Sequence, residues 1–358
     1  MRILHLLNHT NRLNGHVHAA VDLACEQVRQ GHMACIASGG GDFDPLLTRF
    51  GVETTRIDHT RKPLTLLKSE MALHGLIRRW RPDIIHAHMM TSAVLAWPLC
   101  RLMGTPLVTT VHNEFEKSAI LMGLGDRVIA VSEAVGLSME GRGVSSAKLR
   151  VVLNGTIGSA RFEGRSAFKA DLVSPSIVFV GGLHPRKGLP FLIEAFNQVY
   201  QIYPQANLYI IGEGPHEQDY RQMASGLPSS SAIHFLGAKE DPFVWMAAGD
   251  IFVLPSLADP APLVICEARE AGCAVIGSSV GGIPQLLEHG EAGIIVPAEN
   301  AGALAEALAL LLSNNAVLNE WKQRSQTHIE RLTIRRVAEE TLVVYREACK
   351  ARGQSVPG

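Results

Sequence analysis

The sequence predicts two doubly wound α/β domains in tandem. Three observations carry that expectation. Short, wholly apolar runs alternate with segments of helical periodicity in both halves of the chain. A length of 358 residues has room for two domains of ordinary size. Hydrophobic residues make up 47%, enough for two filled cores. Runs that are apolar throughout, rather than alternating, indicate strands covered on both faces, and hence parallel sheets flanked by helices.

In the first half the expected strands are 2–7 (RILHLL), 33–38 (MACIAS), 83–88 (DIIHAH), 106–111 (PLVTTV), 127–131 (RVIAV) and 149–153 (LRVVL). In the second they are 176–181 (SIVFVG), 207–212 (NLYIIG), 232–236 (AIHFL), 250–254 (DIFVL), 273–278 (CAVIGS) and 293–297 (GIIVP). Between Asn154 and Ser174 the pattern gives way to Gly, Ser, Arg and Pro, the composition of a hinge. The last strong periodic segment lies near 334–351, beyond the second set of strands. The expected domains are therefore 1–160 and 161–335, followed by a terminal helical segment, 336–358. Ligands of doubly wound sheets bind beyond the carboxyl ends of the strands.

Composition narrows the function. With 33 Lys+Arg against 34 Asp+Glu the chain is nearly neutral, and no nucleic-acid partner is expected. Residues 1–165 hold 19 basic and 14 acidic side chains and the remainder 14 and 20, so only the first half suits an anionic surface or acceptor. Six scattered cysteines without CxxC spacing read as reduced, buried thiols. No apolar run reaches the ~18 residues of a membrane span, and the start MRILHLL reads as a first strand rather than a signal peptide. A cytoplasmic protein is expected.

Four segments carry candidate chemistry. In 255–297, Asp259 and Glu267 flank a Pro-rich loop that runs into a helix; a strand and a Gly281-Gly282 turn opening a second helix follow. Two helix N-termini and two carboxylates around one crevice suit a phosphorylated, hydroxyl-rich ligand, because free N–H groups meet phosphate and carboxylates accept from hydroxyls. Asn14-Gly15 follows the first strand and precedes Val17, Ala20, Val21, Ala24 and Val28 at helical spacing. The run VFVGGLHPRKGLPFLIEAF (178–196) contains Lys187, and PLVTTVHNEFE (106–116) ends a strand at His112.

The stretch from Asp259 through Gly281-Gly282 to Val296-Pro297 resembles the carboxy-terminal signature of the retaining glycosyltransferases of family 4. That signature reads Glu, seven residues, Glu; here Asp259 and Glu267 hold the interval. The resemblance implies the GT-B fold: two Rossmann-like domains, an active site in the interdomain cleft, and a terminal helix returning to the first domain. It implies transfer of a sugar from a UDP- or GDP-sugar donor to a hydroxyl of a glycan or lipid-linked acceptor, in surface polysaccharide or lipopolysaccharide synthesis. By the same resemblance Gly15 and Lys187 would meet the donor diphosphate and Glu267 the ribose. Backbone N–H groups of Leu263 and Val264 would hold sugar hydroxyls or phosphate. His112 and Asp259 would lie at the transferred sugar, with Asn113 and Glu114 toward the acceptor. The chain departs from the family pattern at three places: Asn14-Gly15 replaces Gly-Gly, Gly182 stands where an Arg is usual, and Pro260-Ala261-Pro262 replaces Gly-Phe-Gly.

The His86-x-His88 pair would share one face of a strand, and His16-x-His18 is a second pair. No Cys/His spacing completes a zinc set and no Asp-x-Asp pair is evident, so neither metal nor cofactor is expected. The segment 59–82 mixes Leu64, Leu67, Met71, Leu73, Leu76 and Ile77 with Arg61, Lys62, Lys68, Arg78, Arg79 and Arg81, and Trp80 adds an interfacial side chain. It is a candidate for peripheral contact with anionic membrane, or an ordinary domain-surface helix. Three other functions remain open. A sugar-nucleotide epimerase or a phosphorylase could use the same fold. A nicotinamide enzyme would need the G-x-G-x-x-G that Asn14-Gly15 does not provide. A non-catalytic nucleotide-binding or assembly subunit would fit Gly182 and the two prolines.

Overall fold

The computed structural model describes residues 1–12, 14–58, 60, 63–164 and 170–354. Residues Met1–Glu163 with Leu332–Gly358 form one compact unit, and Gly164–Arg331 form a second.

Unit 1 is a seven-stranded sheet of β1 (Arg2–Leu6), β2 (Met33–Ser38), β3 (Glu53–Arg56), β4 (Ile84–Ala87), β5 (Leu107–Val111), β6 (Arg127–Ala130) and β7 (Leu149–Val151). The strands are parallel, in the order β3-β2-β1-β4-β5-β6-β7. Unit 2 has β8 (Ser176–Val180), β9 (Asn207–Ile211), β10 (Ile233–Gly237), β11 (Ile251–Leu254), β12 (Ala274–Ser278) and β13 (Ile294–Val296). These are also parallel, in the order β10-β9-β8-β11-β12-β13. Both sheets are doubly wound, as the apolar runs predict, and the order reverses at β1/β4 and at β8/β11. Crevices open at such reversals, beyond the strands' carboxyl ends.

Twelve strands fall on predicted runs; β3 does not. Its sequence ETTR is polar and mostly exposed, because an edge strand pairs on one side only and can face water. Two helices build this core on one face of the unit 1 sheet, the face of Ile3, His5 and Leu7. Val17, Ala20, Val21 and Ala24 of the helix Gly15–Arg29 pack with Leu7, Ile36 and Leu47. Beside them, Leu342, Tyr345, Ala348 and Cys349 of the helix Ile334–Ala351 pack on Ile3, Ile84, Val108 and Ile129. That helix is therefore an integral layer of unit 1.

Part of the segment expected to be a hinge is ordered onto unit 1. Ile157 bridges to Thr333, with Ile157 N–H donating to Leu332 O at 3.0 Å and Ile334 N–H to Ile157 O at 2.9 Å. Arg161 ion-pairs with the buried Asp22 at 2.8 Å. The small residues here make turns against a neighbour rather than free linker; residues 165–169 of the expected hinge lie outside the described residues. All six cysteines are free and buried. Among the described residues no single helix is long and apolar enough to cross a membrane.

Trp80 corrects the reading of 59–82. It is 6% exposed, donates from Nε1 to Glu53 Oε1 at 3.0 Å, and lies under the Arg2 guanidinium at 4.6 Å. A tryptophan so enclosed anchors the end of the helix Pro63–Trp80 and is no interfacial group, and Leu73, Leu76 and Ile77 are likewise buried in the unit rather than offered to a membrane. Leu64, Leu67 and Met71 are exposed, as are Lys68, Arg78, Arg79 and Arg81; Arg61 and Lys62 lie outside the described residues.

Candidate functional site

In unit 2 the loops after β8, β11 and β12 converge at the sheet's reversal. The chain leaves β8 through Gly181-Gly182 and makes a 3-10 turn, Pro185–Lys187, stopped by Gly188 at φ 68°. A Cβ on Gly188 would stand 2.0 Å from Pro255 O, so the backbones of these two loops touch only because the side chain is missing. Leu257 N–H donates to Arg186 O at 2.7 Å and ties them together. This contact brings Lys187 Nζ to 2.6 Å from Asp259 Oδ2, which also accepts from Ser256 Oγ at 3.2 Å. The loop after β12 closes from the other side: Gly282 N–H donates to Asp259 O at 3.1 Å, and Gly281, at φ 53°, leaves no room for a Cβ, which would stand 1.8 Å from that oxygen.

The helix Leu263–Glu270 begins directly after this buried loop. Its N-cap is Pro262, which makes no side-chain cap hydrogen bond. The N–H groups of Leu263 and Val264, in the first turn, point out of the helix with no intrahelical acceptor, an arrangement suited to an anion. Glu267 is the fifth residue of the helix and 7% exposed. The helix dipole acts within the first turn, so it does not account for this acid. Lys187 and Asp259, with side chains 16% and 8% exposed, are likewise not solvated surface groups. Gly182 is exposed, and a Cβ there would meet nothing nearer than Glu213 O at 3.9 Å. Space for a side chain exists where the family's Arg is missing.

In unit 1, Gly15 opens the helix Gly15–Arg29, whose N-cap Asn14 makes no side-chain cap bond, and a Cβ at Gly15 would meet no atom within 4 Å. Gly15 is thus exposed for a ligand and is not required by the fold. Asn8, just beyond β1, has its Oδ1 buried without a hydrogen-bond partner, as does His18 Nε2. Buried polar atoms are rarely left unpaired, and these two add to the candidate groups at the β1 reversal. His112 follows β5. Its Nε2 is 3.0 Å from His88 Nδ1, and His88 Nε2 is 3.0 Å from His5 Nδ1. Burial, helped by the neighbouring His16, lowers His112 to about 3; burial lowers His5 to about 4. These imidazoles are neutral at pH 7. Asn113 spends its Oδ1 on Phe115 N–H at 3.0 Å, while Glu114 is 9% exposed. Ser132 caps the next helix through Val135 N–H at 3.4 Å.

His86 and His88 do share a face, with ring centroids 4.1 Å apart, and His5 joins them from β1, where it lies in register with His86. Ligand atoms of the three lie within 4.8 Å of one another. Every nitrogen of these rings already has a hydrogen-bond partner: His5 on His88 and Gln27, His88 on His5 and His112, His86 on Tyr345 and Thr110. A metal would have to break that network, so the cluster fits a self-satisfied chain better than a metal centre. Sequence reading paired His86 with His88 but missed His5, Gln27 and Asn8. The polar Gln27, three residues after Ala24 and seven after Ala20 on the apolar stripe of its helix, was the available signal.

Comparison with known proteins agrees with the fold. Residues 13–156 match the model of Glycosyltransferase Family 4, and residues 174–314 that of Glycosyl transferases group 1. A phosphatidyl-myo-inositol mannosyltransferase of Mycobacterium leprae is 28% identical over 298 residues, 78% of either chain. A glycogen synthase of Mycobacterium tuberculosis is 27% identical over 308 residues, 79% of this chain and 73% of that one. Among solved structures, Anabaena HepE in complex with UDP-glucose superposes with a TM-score of 0.78 at 21% identity, covering 96% of this chain and 99% of its own. A Rickettsia africae glycosyltransferase gives 0.83 at 18%, covering 98% of each.

Proposed function

Because this chain belongs to glycosyltransferase family 4 and has the GT-B fold, we propose that it is a retaining hexosyltransferase. It moves a sugar from a UDP- or GDP-sugar to a hydroxyl of a glycan or lipid-linked acceptor, in surface polysaccharide synthesis. The observation that carries this reading is the Lys187–Asp259 pair, held at the β8/β11 reversal beside the uncapped start of the helix Leu263–Glu270. A cation and free helix N–H groups would receive the charge that collects on a departing diphosphate.

In this mechanism the sugar–phosphate bond breaks with oxocarbenium character. Lys187 and the N–H groups of Leu263, Val264 and Gly15 stabilise the leaving group, and Glu267 accepts from the ribose hydroxyls. The leaving phosphate takes the proton of the incoming hydroxyl on the same face, so neither a nucleophilic carboxylate nor a metal is needed. His112 and Asp259 position the transferred sugar, and Asn113 and Glu114 act toward the acceptor. HepE, solved with UDP-glucose, supports a nucleotide-sugar donor, and the mannosyltransferase and glycogen synthase names support hexosyl transfer. We place the protein in the cytoplasm, touching anionic membrane through Leu64, Leu67, Met71 and the adjacent basic side chains.

A thermal-shift screen of UDP- and GDP-sugars, followed by transfer of the labelled sugar to glycan acceptors, tests the reading. Glu267→Ala should weaken nucleotide binding, and His112→Ala should chiefly slow turnover. Donor binding without transfer to any acceptor would favour the non-catalytic subunit, which Gly182 and Pro260-Ala261-Pro262 also suit.

A further inference from the structure

The imidazole chain of unit 1 has a direction, and one side chain supplies it. From His112 the chain runs through His88 and His5 to Gln27, whose Oε1 lies 2.8 Å from His5 Nε2. On its other side Gln27 Nε2 donates to Tyr345 Oη at 3.2 Å. Tyr345 Oη is 2.7 Å from His86 Nδ1, and His86 Nε2 is 2.7 Å from Thr110 Oγ1. Gln27, Tyr345, His5 and His86 are fully buried, so water does not compete for these bonds.

A neutral imidazole has one N–H and one bare nitrogen, so each ring must pass on the polarity it receives. Hydroxyls can point either way. Only the amide has one end that always accepts and one that always donates. With Oε1 on His5, that ring carries its proton on Nε2 and accepts on Nδ1 from His88 Nε2–H. His88 then accepts on Nδ1 from His112 Nε2–H. The second arm follows suit: Tyr345 donates to His86 Nδ1, and His86 Nε2–H donates to Thr110. An inverted amide would reverse every bond in both arms.

We propose that Gln27 is a positioning residue that holds His112 in its Nε2–H tautomer, leaving His112 Nδ1 as a hydrogen-bond acceptor for a hydroxyl of the transferred sugar. The tautomer follows from the hydrogen-bond chain alone; its use on a sugar rests on the function proposed above. Gln27 does this without touching substrate, through two intervening rings.

The test uses the full chain with ¹⁵N-labelled histidine, in which long-range ¹H–¹⁵N correlations report which ring nitrogen carries the proton. At pH 7.5 the wild type should show His112 and His86 each as a single Nε2–H tautomer. Gln27→Met keeps the side-chain volume but removes both ends of the amide; His112 and His86 should then both become mixtures. Tyr345→Phe removes a polar group just as buried, on the other arm only; His86 should become mixed while His112 stays Nε2–H. A general loosening of the core would affect His112 alike in both variants. The KM for the UDP- or GDP-sugar that the wild type turns over should rise in Gln27→Met as the competent tautomer is diluted, about twofold for an even mixture, and should stay unchanged in Tyr345→Phe. His112 found as Nδ1–H in the wild type, or unaltered in Gln27→Met, would overturn the proposal. The expected tautomer shifts with no turnover of any UDP- or GDP-sugar, by the wild type or either variant, would uphold the role of Gln27 and count against the glycosyltransferase mechanism instead.

Discussion

Lys187→Met separates the ion pair with Asp259 from the diphosphate contact proposed for the same side chain. Lys187 Nζ lies 2.6 Å from Asp259 Oδ2, and the two side chains are 16% and 8% exposed. Without the lysine, the Asp259 carboxylate keeps one neutral donor, Ser256 Oγ at 3.2 Å. Removing one partner of a buried pair costs about 3–5 kcal/mol, and the water reaching Lys187 argues for the lower figure, about 3. For a domain the size of Gly164–Arg331 each kcal/mol moves Tm by ~2–4 °C, so a drop of about 6–12 °C is expected. Lys187→Met/Asp259→Asn leaves no uncompensated charge and should recover most of it. UDP affinity should not recover. A charge-assisted bond to phosphate contributes about 1.5–3 kcal/mol, so both variants should bind about 10- to 150-fold more weakly by calorimetry. Strict additivity of the two substitutions in Tm would refute the pairing. Unchanged UDP affinity in both variants would refute Lys187 as a diphosphate ligand.

Three further outcomes are expected. Gly15→Ala places its Cβ in open space, so thermal unfolding should be unchanged or slightly improved, while donor turnover falls about tenfold as a phosphate contact is obstructed; unaltered kinetics would remove Gly15 from the donor site. Gly182→Arg has room for its side chain and a backbone outside the left-handed region, and should raise UDP affinity about tenfold or more; no gain would show that position 182 faces away from the diphosphate. The histidines predict the sign of the pH response. His5 and His112 are lowered by burial to about 4 and about 3, below the unfolded value of 6.5, so the unfolded chain binds more protons as pH falls below 6.5 and stability declines. The unfolding free energy from urea titrations should hold from pH 8 to 7.5, then drop by pH 5.5 by about 1.4 kcal/mol for each imidazole kept neutral; a flat profile would mean these rings are not buried neutral.

The fold was legible because a parallel strand buried on both faces must be apolar at every position, and twelve such runs stand out. The polar edge strand Glu53–Arg56 escaped for the same reason inverted: one side faces water, so nothing forces it to be apolar. The candidate site was legible where residues close in sequence share a loop or a strand. Asp259, Leu263, Val264 and Glu267 lie on one loop and helix, and His86 and His88 alternate along one strand. Trp80 was misjudged because amphipathic spacing says which residues share a face, not which face meets the sheet. Arg2 and Glu53, distant in sequence, decided that.

By itself the amino-acid order determined two parallel α/β sheets and the motif that places the chain in its family. These depend on local periodicity and on short runs of chain. Tertiary structure alone decided that Lys187 would grip Asp259 across 72 positions, and that Tyr345 would join Gln27 across 318. Such contacts depend on where a complete sheet delivers its loops and which helix finally covers it, and no local pattern encodes that. The direction of proton sharing at His112 belongs with them, since a neutral ring takes its tautomer from whatever folding sets beside it.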